Sequence, residues 1–431
     1  MMTRRLIPAL LLCTAPALVA DGPAVAQIGV PDVGEAVGGT VGSTLDRTGD
    51  TLGRIAPVES VTAPVRSVAG MARDRIERLR DFLRLNRASV EADEQGEPAR
   101  RGVVLMLDGD AAALDKVRTL GFLTQGAEDF GNLGLSATQL TVPQGLALPA
   151  ALARLRAALP DRTFTADQLL FPSGEGAGAA PLATAAGKGA IRTPVGLIDG
   201  GVGSAVAVRA ARGFATGAPN ASDHGTAIAS LLRYAGVQAI VSADVFGRDP
   251  AGGSALAIVR ALDWMQGQSV PVVSISLTGP SNPLLARAVG LCAARGMVIV
   301  AAVGNDGPAA PPAYPASYPA VLAVTGVDGR NRALIEAGRA AHLDYAAPAA
   351  DMAAMDARRR WHRVRGTSFA VPLVAARVAA MKDAGRDGAA LRAALDAQAR
   401  DLGPKGPDAL YGRGLLCGDC RPRAEKFPPD G

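Results

Sequence analysis

The chain has 431 residues, enough for two or three domains and a sizeable buried core. Hydrophobic residues make up 48% and charged residues 20%, which excludes a wholly disordered chain, while 4% aromatic residues beside 51 glycines point to close backbone packing through small side chains. With 45 basic against 40 acidic residues, the net charge of +5 is too small over this length for a dedicated nucleic-acid binder, so no nucleic-acid partner is expected.

Arg4 and Arg5 precede an apolar stretch over 6–20, and Ala24-Val25-Ala26 supplies the small-x-small pattern of signal-peptide cleavage. Residues 1–26 therefore read as an export signal, with the mature chain starting near Gln27. As a helix, 6–20 would span about 22 Å against a hydrocarbon core of ~30 Å, and Pro8 and Pro16 weaken it further, which argues against a permanent anchor. No later segment is long and apolar enough to span a membrane, so the expected location is periplasmic or extracellular.

Residues 27–101 form a low-complexity arm that ends in a basic amphipathic helix. Ile76, Leu79, Phe82, Leu83 and Val90 follow helical spacing, and Arg73, Arg75, Arg78, Arg80, Arg84 and Arg87 alternate with Asp74, Glu77 and Asp81. This is the pattern of a solvated helix with one packing stripe, although an acidic surface or a membrane face would also suit it. From 102 to 172 an apolar run (103–107), a helical stretch (111–120), a strand-like segment (135–142), a second helix (148–158) and 164–170 suggest a small α/β module. Residues 173–190 are mostly Gly and Ala and read as a linker.

Over 191–416 the apolar, β-branched runs 195–198, 237–245, 270–277, 297–303 and 321–327 alternate with helical stretches. Such runs imply an α/β fold with a doubly wound, mostly parallel sheet covered by helices on both faces, in which ligands bind beyond the C-terminal ends of the strands. The tail 417–431 opens with Cys417-Gly-Asp-Cys420. In an exported protein this pair is a candidate disulfide more readily than a zinc site, because zinc would need two further ligands that no cluster offers. Cys292 has no local partner and reads as a small core residue.

Three residues beyond those strand ends have the chemistry for acyl transfer: Asp199, His224 and Ser368. A serine hydroxyl is a poor nucleophile until an imidazole takes its proton, and a carboxylate is needed to hold that imidazole in the correct tautomer. Singly, each is an ordinary cap, core histidine or turn. Together, Ile198-Asp199-Gly-Gly-Val, His224-Gly-Thr-Ala-Ile-Ala229, Ala302-Val-Gly304-Asn305-Asp-Gly307 and Gly366-Thr-Ser368-Phe-Ala-Val-Pro372 resemble, in order, the signature segments of subtilisin-like serine proteases. The order Asp, His, Ser is that family's.

The resemblance implies a serine endopeptidase with Ser368 as nucleophile, His224 as general base and then acid, and Asp199 as its orienter. It also implies an oxyanion hole from Asn305 and the Ser368 backbone, and a substrate-binding strand over Ser276, Leu277, Thr278 and Gly279. Substrates would be proteins or peptides, and no cofactor or metal is expected. By order and position, 102–172 resembles the family's propeptide, which would act as an intramolecular inhibitor of a self-inhibited precursor. Two departures stand out: Ala227 where the family commonly has a second histidine, and Gly200 where it commonly has Thr or Ser. His342 and His362 lie in none of these segments, and 358–363 reads as a solvated basic loop. The competing reading is a non-catalytic peptide-binding protein on the same scaffold, which would normally have lost a triad residue.

Overall fold

The computed structural model describes residues 67–179 and 189–422. The expected export signal, the arm up to residue 66, part of the linker and the end of the tail lie outside them.

Helix α1 (Val68–Leu85) leads into β1 (Val90–Ala92), β2 (Pro98–Leu107), α2 (Ala111–Thr119), β3 (Leu123–Phe130), β4 (Leu135–Thr141), α3 (Leu148–Ala158) and β5 (Phe164–Gln168). The five strands form an antiparallel sheet in the order β1-β2-β4-β3, with β5 also on β2. The run 103–107 lacks polar alternation because both faces of β2 are covered. Val104 and Met106 pack with Val117, Leu152 and Leu155 of α2 and α3, whereas Leu105 and Leu107 belong to the core of the larger body. β1 and the start of β2 lie upstream of 102: Arg100 and Arg101 break any apolar run there, and pairing with β1 and β5, not hydrophobicity, makes this stretch a strand. β3 is a mostly exposed edge strand interrupted by Gly126, which is why no apolar period marks it.

After β6 (Phe171–Pro172) and β7 (Glu175–Ala179), the larger body runs β8 (Val195–Asp199), β9 (Ala210–Gly213), α4 (Asp223–Tyr234), β10 (Ile240–Asp244), α5 (Ala255–Gly267), β11 (Val272–Ile275), β12 (Leu277–Thr278), α6 (Pro283–Ala294), β13 (Val298–Ala302) and β14 (Val321–Val327). It continues through β15 (Tyr345–Pro348), β16 (Met352–Met355), β17 (Trp361–Arg365), a 3-10 turn (Thr367–Phe369), α7 (Val371–Asp383) and α8 (Gly388–Asp396). The main sheet has seven strands, β15-β14-β13-β11-β8-β10-β9, and every ladder in it is parallel. Alternate residues face opposite cores. Leu197, Val272 and Val300 pack toward α4 and α7, while Ile198, Val273 and Ile299 pack toward α5 and α6. Burying each such side chain contributes roughly 1.5–3 kcal/mol, which fixes the height at which the strands end. The chain leaves β8 for β10 on one side and then crosses to β11 on the other, so a crevice opens beyond the C-terminal end of β8.

The small sheet sits on α5 and α6 through matched polar groups as well as apolar ones. Asp167 accepts from the Leu256 N–H at 2.9 Å in the first turn of α5. Asn282 caps α6 by accepting from Leu285 N–H at 3.0 Å and donates to the Ala166 carbonyl at 3.0 Å. Arg260 makes a bidentate pair with Glu128, both contacts 2.6 Å. Burial pushes the Asp167 carboxyl above its ordinary value, against the opposing pull of the Leu256 N–H and Arg100.

Candidate active site

Asp199 is the last residue of β8 and is 1% exposed. Its two carboxylate oxygens face His224 Nδ1 at 2.9 and 3.0 Å, and Oδ1 also accepts from the Gly200 N–H at 2.7 Å. A carboxylate only accepts, so Nδ1 is the protonated nitrogen and Nε2 carries the free lone pair. His224 is held at the start of α4, which is capped by Ser222 Oγ accepting from the Gly225 N–H at 2.9 Å. That cap explains the departure at Gly200. A Cβ there would lie 2.3 Å from Ser222 Oγ. Ala227 is buried in the core on the α4 side of the sheet, where a second histidine would need a partner.

Ser368 lies in the 3-10 turn ahead of α7, with Pro372 in that helix's first turn. Gly366 introduces the turn at φ +136° and ψ 155°, a conformation open essentially to glycine alone. The turn packs against α4, and the Phe369 ring lies 5.7 Å from that of His224. The Ser368 hydroxyl donates to the Ser276 carbonyl at 3.1 Å, and Ser276 Oγ donates back to the Ser368 carbonyl at 2.9 Å. Among the described residues His224 Nε2 has no hydrogen-bond partner. The carboxylate and imidazole are thus joined, while the hydroxyl is turned toward Ser276. A serine–histidine hydrogen bond here would require the hydroxyl to leave the Ser276 carbonyl for Nε2.

The cleft is filled by the chain itself. β6 pairs antiparallel with β12, Pro172 opposite Leu277 and Phe171 opposite Thr278, and the Ser173 N–H donates to the Ser276 carbonyl at 3.2 Å. On the other side, the Leu170 N–H donates to the Gly253 carbonyl at 2.8 Å. Gly279 closes against the segment, since a Cβ there would come 2.8 Å from Leu170 Cγ. Most telling is the Ser173 carbonyl oxygen. It accepts from the Ser368 backbone N–H at 3.0 Å and, at short range, from Asn305 Nδ2. Asn305 is oriented by its own Oδ1, which accepts from the Thr367 N–H at 3.0 Å. Two donors therefore converge on one carbonyl beside the serine, the geometry an oxyanion hole requires.

Three features of the site were not legible in the sequence. Gly253 forms the far wall of the cleft, and the only cue was a glycine pair ahead of a helix. β7 pairs antiparallel with β17, Glu175 opposite Arg365 and Gly176 opposite Val364, so the first part of the expected linker is an added strand. Backbone bonding asks nothing of side chains, which is why a Gly/Ala stretch can do it. The basic stretch 358–363 is an exposed turn over 358–360, as expected of a solvated loop, but 361–363 belong to β17 of the β16–β17 hairpin, with His362 Nε2 against Asp356 at 2.5 Å. His342 bonds the Val321 carbonyl at 2.9 Å, away from the cleft. Cys417 and Cys420 form a disulfide with Cα atoms 5.0 Å apart. Among the described residues the one group with metal-ligand atoms in mutual reach is Cys417, Asp419 and Cys420, and its two sulfurs are joined to each other.

Residues 211–414 match the sequence profile of the subtilase family. Subtilisin Savinase from Lederbergia lenta is 30% identical over 239 residues, covering 52% of this chain and 87% of the relative. The chain belongs to the subtilase family of serine endopeptidases. An alkaline protease from Shouchella clausii is also 30% identical, over 52% of this chain and 62% of its own length. The minor extracellular protease Epr from Bacillus subtilis is 28% identical over 46% of this chain, which spans 30% of that longer relative. Fervidolysin from Fervidobacterium pennivorans, a keratinolytic enzyme related to subtilisin, superposes with a TM-score of 0.60 over 77% of this chain and 62% of its own, at 15% identity. That likeness concerns the fold alone, and it covers more of the chain than these sequence matches do.

Proposed function

We propose that this subtilase is exported, is made as a self-inhibited precursor, and cuts its own chain between Ser173 and Gly174 before acting on other proteins. The observation that carries the reading is the Ser173 carbonyl, held by the Ser368 N–H and Asn305 Nδ2. Ser368 Oγ attacks the Ser173 carbonyl carbon while His224 Nε2 takes the hydroxyl proton and Asp199 stabilises the resulting imidazolium. The oxyanion forms on the oxygen already held by the two donors. The C–N bond to Gly174 then breaks, and His224 passes its proton to the departing Gly174 nitrogen. Water, activated by the same imidazole, releases Ser173 as a free carboxylate and restores Ser368.

Residues 170–173 occupy the cleft and the small sheet covers α5 and α6, an arrangement that supports inhibition before and after the cut. Export is supported by the leader-like residues 1–26, the extracellular relative and the Cys417–Cys420 disulfide; among the described residues no helix is long and apolar enough to cross a membrane. Ser173 is 4% exposed where the side chain before the scissile bond sits. Thr278 stands close to Gly304, 3.5 Å from where a Cβ there would lie, and with the small Ser173 before the bond this supports a preference for small or medium side chains.

The test is expression of the full chain and of Ser368→Ala in a protease-deficient host. The parent yields a fragment with Gly174 at its N-terminus by mass spectrometry, and the variant remains uncut. Identical processing of both, or a parental cut elsewhere, refutes the reading.

A further inference from the structure

The basic helix α1 has no place in the catalytic steps, yet it is docked on the catalytic loop. Met71, 6% exposed, packs against Gly307, where a Cβ would come 3.1 Å from Met71 Cβ. Arg75 Nε donates to Asp306 Oδ2 at 3.1 Å, and Arg78 pairs with the other oxygen of the same carboxylate. Arg75 also donates to Glu97 at 2.7 Å, beside the start of β2. At the other end of α1, the Phe82 ring meets Phe171 edge-on at 5.0 Å between centroids. One helix therefore touches three things: the small sheet, the loop that carries Asn305, and the chain lying in the cleft.

We infer that α1 is a second anchor of the inhibitory segment, clamped to the oxyanion loop through Arg75, Arg78 and Asp306, and that these ion pairs set how fast the cut segment leaves. The inference rests on the precursor reading above. Once the Ser173–Gly174 bond is broken, 67–173 is a separate chain, and the clamp becomes an interface between it and the enzyme. The occupant of the Asp306–Gly307 surface is then a basic amphipathic helix, with two guanidinium groups converging on one carboxylate and a methionine seated on a residue without a side chain. Because Phe82 packs edge-on against Phe171, leaving the cleft and leaving the loop are coupled. The paired groups are part-exposed, with side-chain exposures of 19% for Arg75, 37% for Asp306 and 59% for Arg78, so salt must weaken them.

The experiment uses the full-length protein after self-cleavage, diluted into a fluorogenic peptide, and reads the lag before full activity. Arg75→Ala with Arg78→Ala leaves the mature enzyme unchanged in sequence, so the plateau rate per active site normalises the comparison. The double variant is expected to shorten the lag roughly three- to thirtyfold. Raising salt from about 0.05 to 0.5 M shrinks the screening length from about 14 to about 4 Å, and it should shorten the parental lag much more than the variant's. Because Arg75 also holds Glu97, the charge swap is made at Arg78 alone: Asp306→Arg with Arg78→Glu should give a longer lag than Asp306→Arg by itself. Equal lags and equal salt slopes in parent and alanine variant overturn the anchor while leaving the precursor reading standing. A parent that is fully active with no lag overturns both.

Discussion

Replacing Asn305 tests the site at the atom where the proposed mechanism develops charge. Its carboxamide supplies one of two donors to the Ser173 carbonyl, the other being the Ser368 N–H, and Thr367 N–H holds the group in place. A hydrogen bond to an ionised acceptor is worth roughly 1.5–3 kcal/mol, and about 1.4 kcal/mol is tenfold in rate, so Asn305→Ala should lower kcat about ten- to 150-fold. Activity should not vanish, because the backbone donor survives. Asn305→Asp keeps the acceptor for Thr367 but sets a negative charge near the oxyanion. At about 3 Å and an effective dielectric of about 20 this costs roughly 5 kcal/mol, so Asp should be worse than Ala. Loss confined to the transition state lowers kcat and kcat/KM together with KM little changed. The assay is hydrolysis of a peptide anilide by titrated enzyme, alongside the fraction of uncut precursor, which should rise in the same order. A loss below about threefold in the alanine variant, or an aspartate variant as active as it, refutes the two-donor reasoning.

Thr278→Gly should widen the pocket beside Gly304 and raise the preference for Leu or Phe over Ala before the scissile bond by roughly tenfold, read from kcat/KM ratios on a peptide series; an unchanged ratio places the pocket elsewhere. Cys292 is fully buried, and burial pushes its thiol up to about 12. It should resist iodoacetamide at pH 8 in the folded Ser368→Ala protein and react on unfolding, and labelling of the folded protein would contradict its core position. Asp167 binds its proton more readily folded than unfolded, because burial raises it above the ordinary 3.8. Its contribution to precursor stability is therefore complete below that ordinary value and lost as pH rises through the raised one. Urea unfolding of the Ser368→Ala precursor from pH 4 to 8 should show the parent losing stability relative to Asp167→Asn as pH rises, and a pH-independent difference would refute the burial argument.

Much of the site was legible because its chemistry demands particular residue types in short segments. Asp199, His224, Asn305 and Ser368 each sit in a motif whose glycines have a steric reason: a Cβ on Gly225 would fall 2.1 Å from the Gly200 carbonyl oxygen, and one on Gly366 would fall 2.7 Å from Asn305 Nδ2. Five of the seven main-sheet strands were equally plain, since strands covered on both faces are apolar throughout, as at Val195–Asp199 and Val321–Val327; the half-exposed Ala210–Gly213 and the edge strand Tyr345–Pro348 were not. Leu123–Phe130, an exposed edge strand, and Trp361–Arg365, held between two partners by backbone pairing, carry no apolar period that would mark them.

By itself the sequence determined the fold class, the order of the candidate catalytic residues and the helical character of the basic stretch, since each is set by local composition, period or sterics. Only the tertiary structure decided which bond lies between the donors, where the basic helix docks, and that the Ser368 hydroxyl is turned toward Ser276. The Gly/Ala-rich stretch after Ser173 gives no hint of its register on β17, and Arg75 carries no mark of a carboxylate 231 positions away in the chain. Such facts belong to contacts between distant segments: backbone pairing is blind to side chains, and an ion pair exists only once the fold has brought its two charges together.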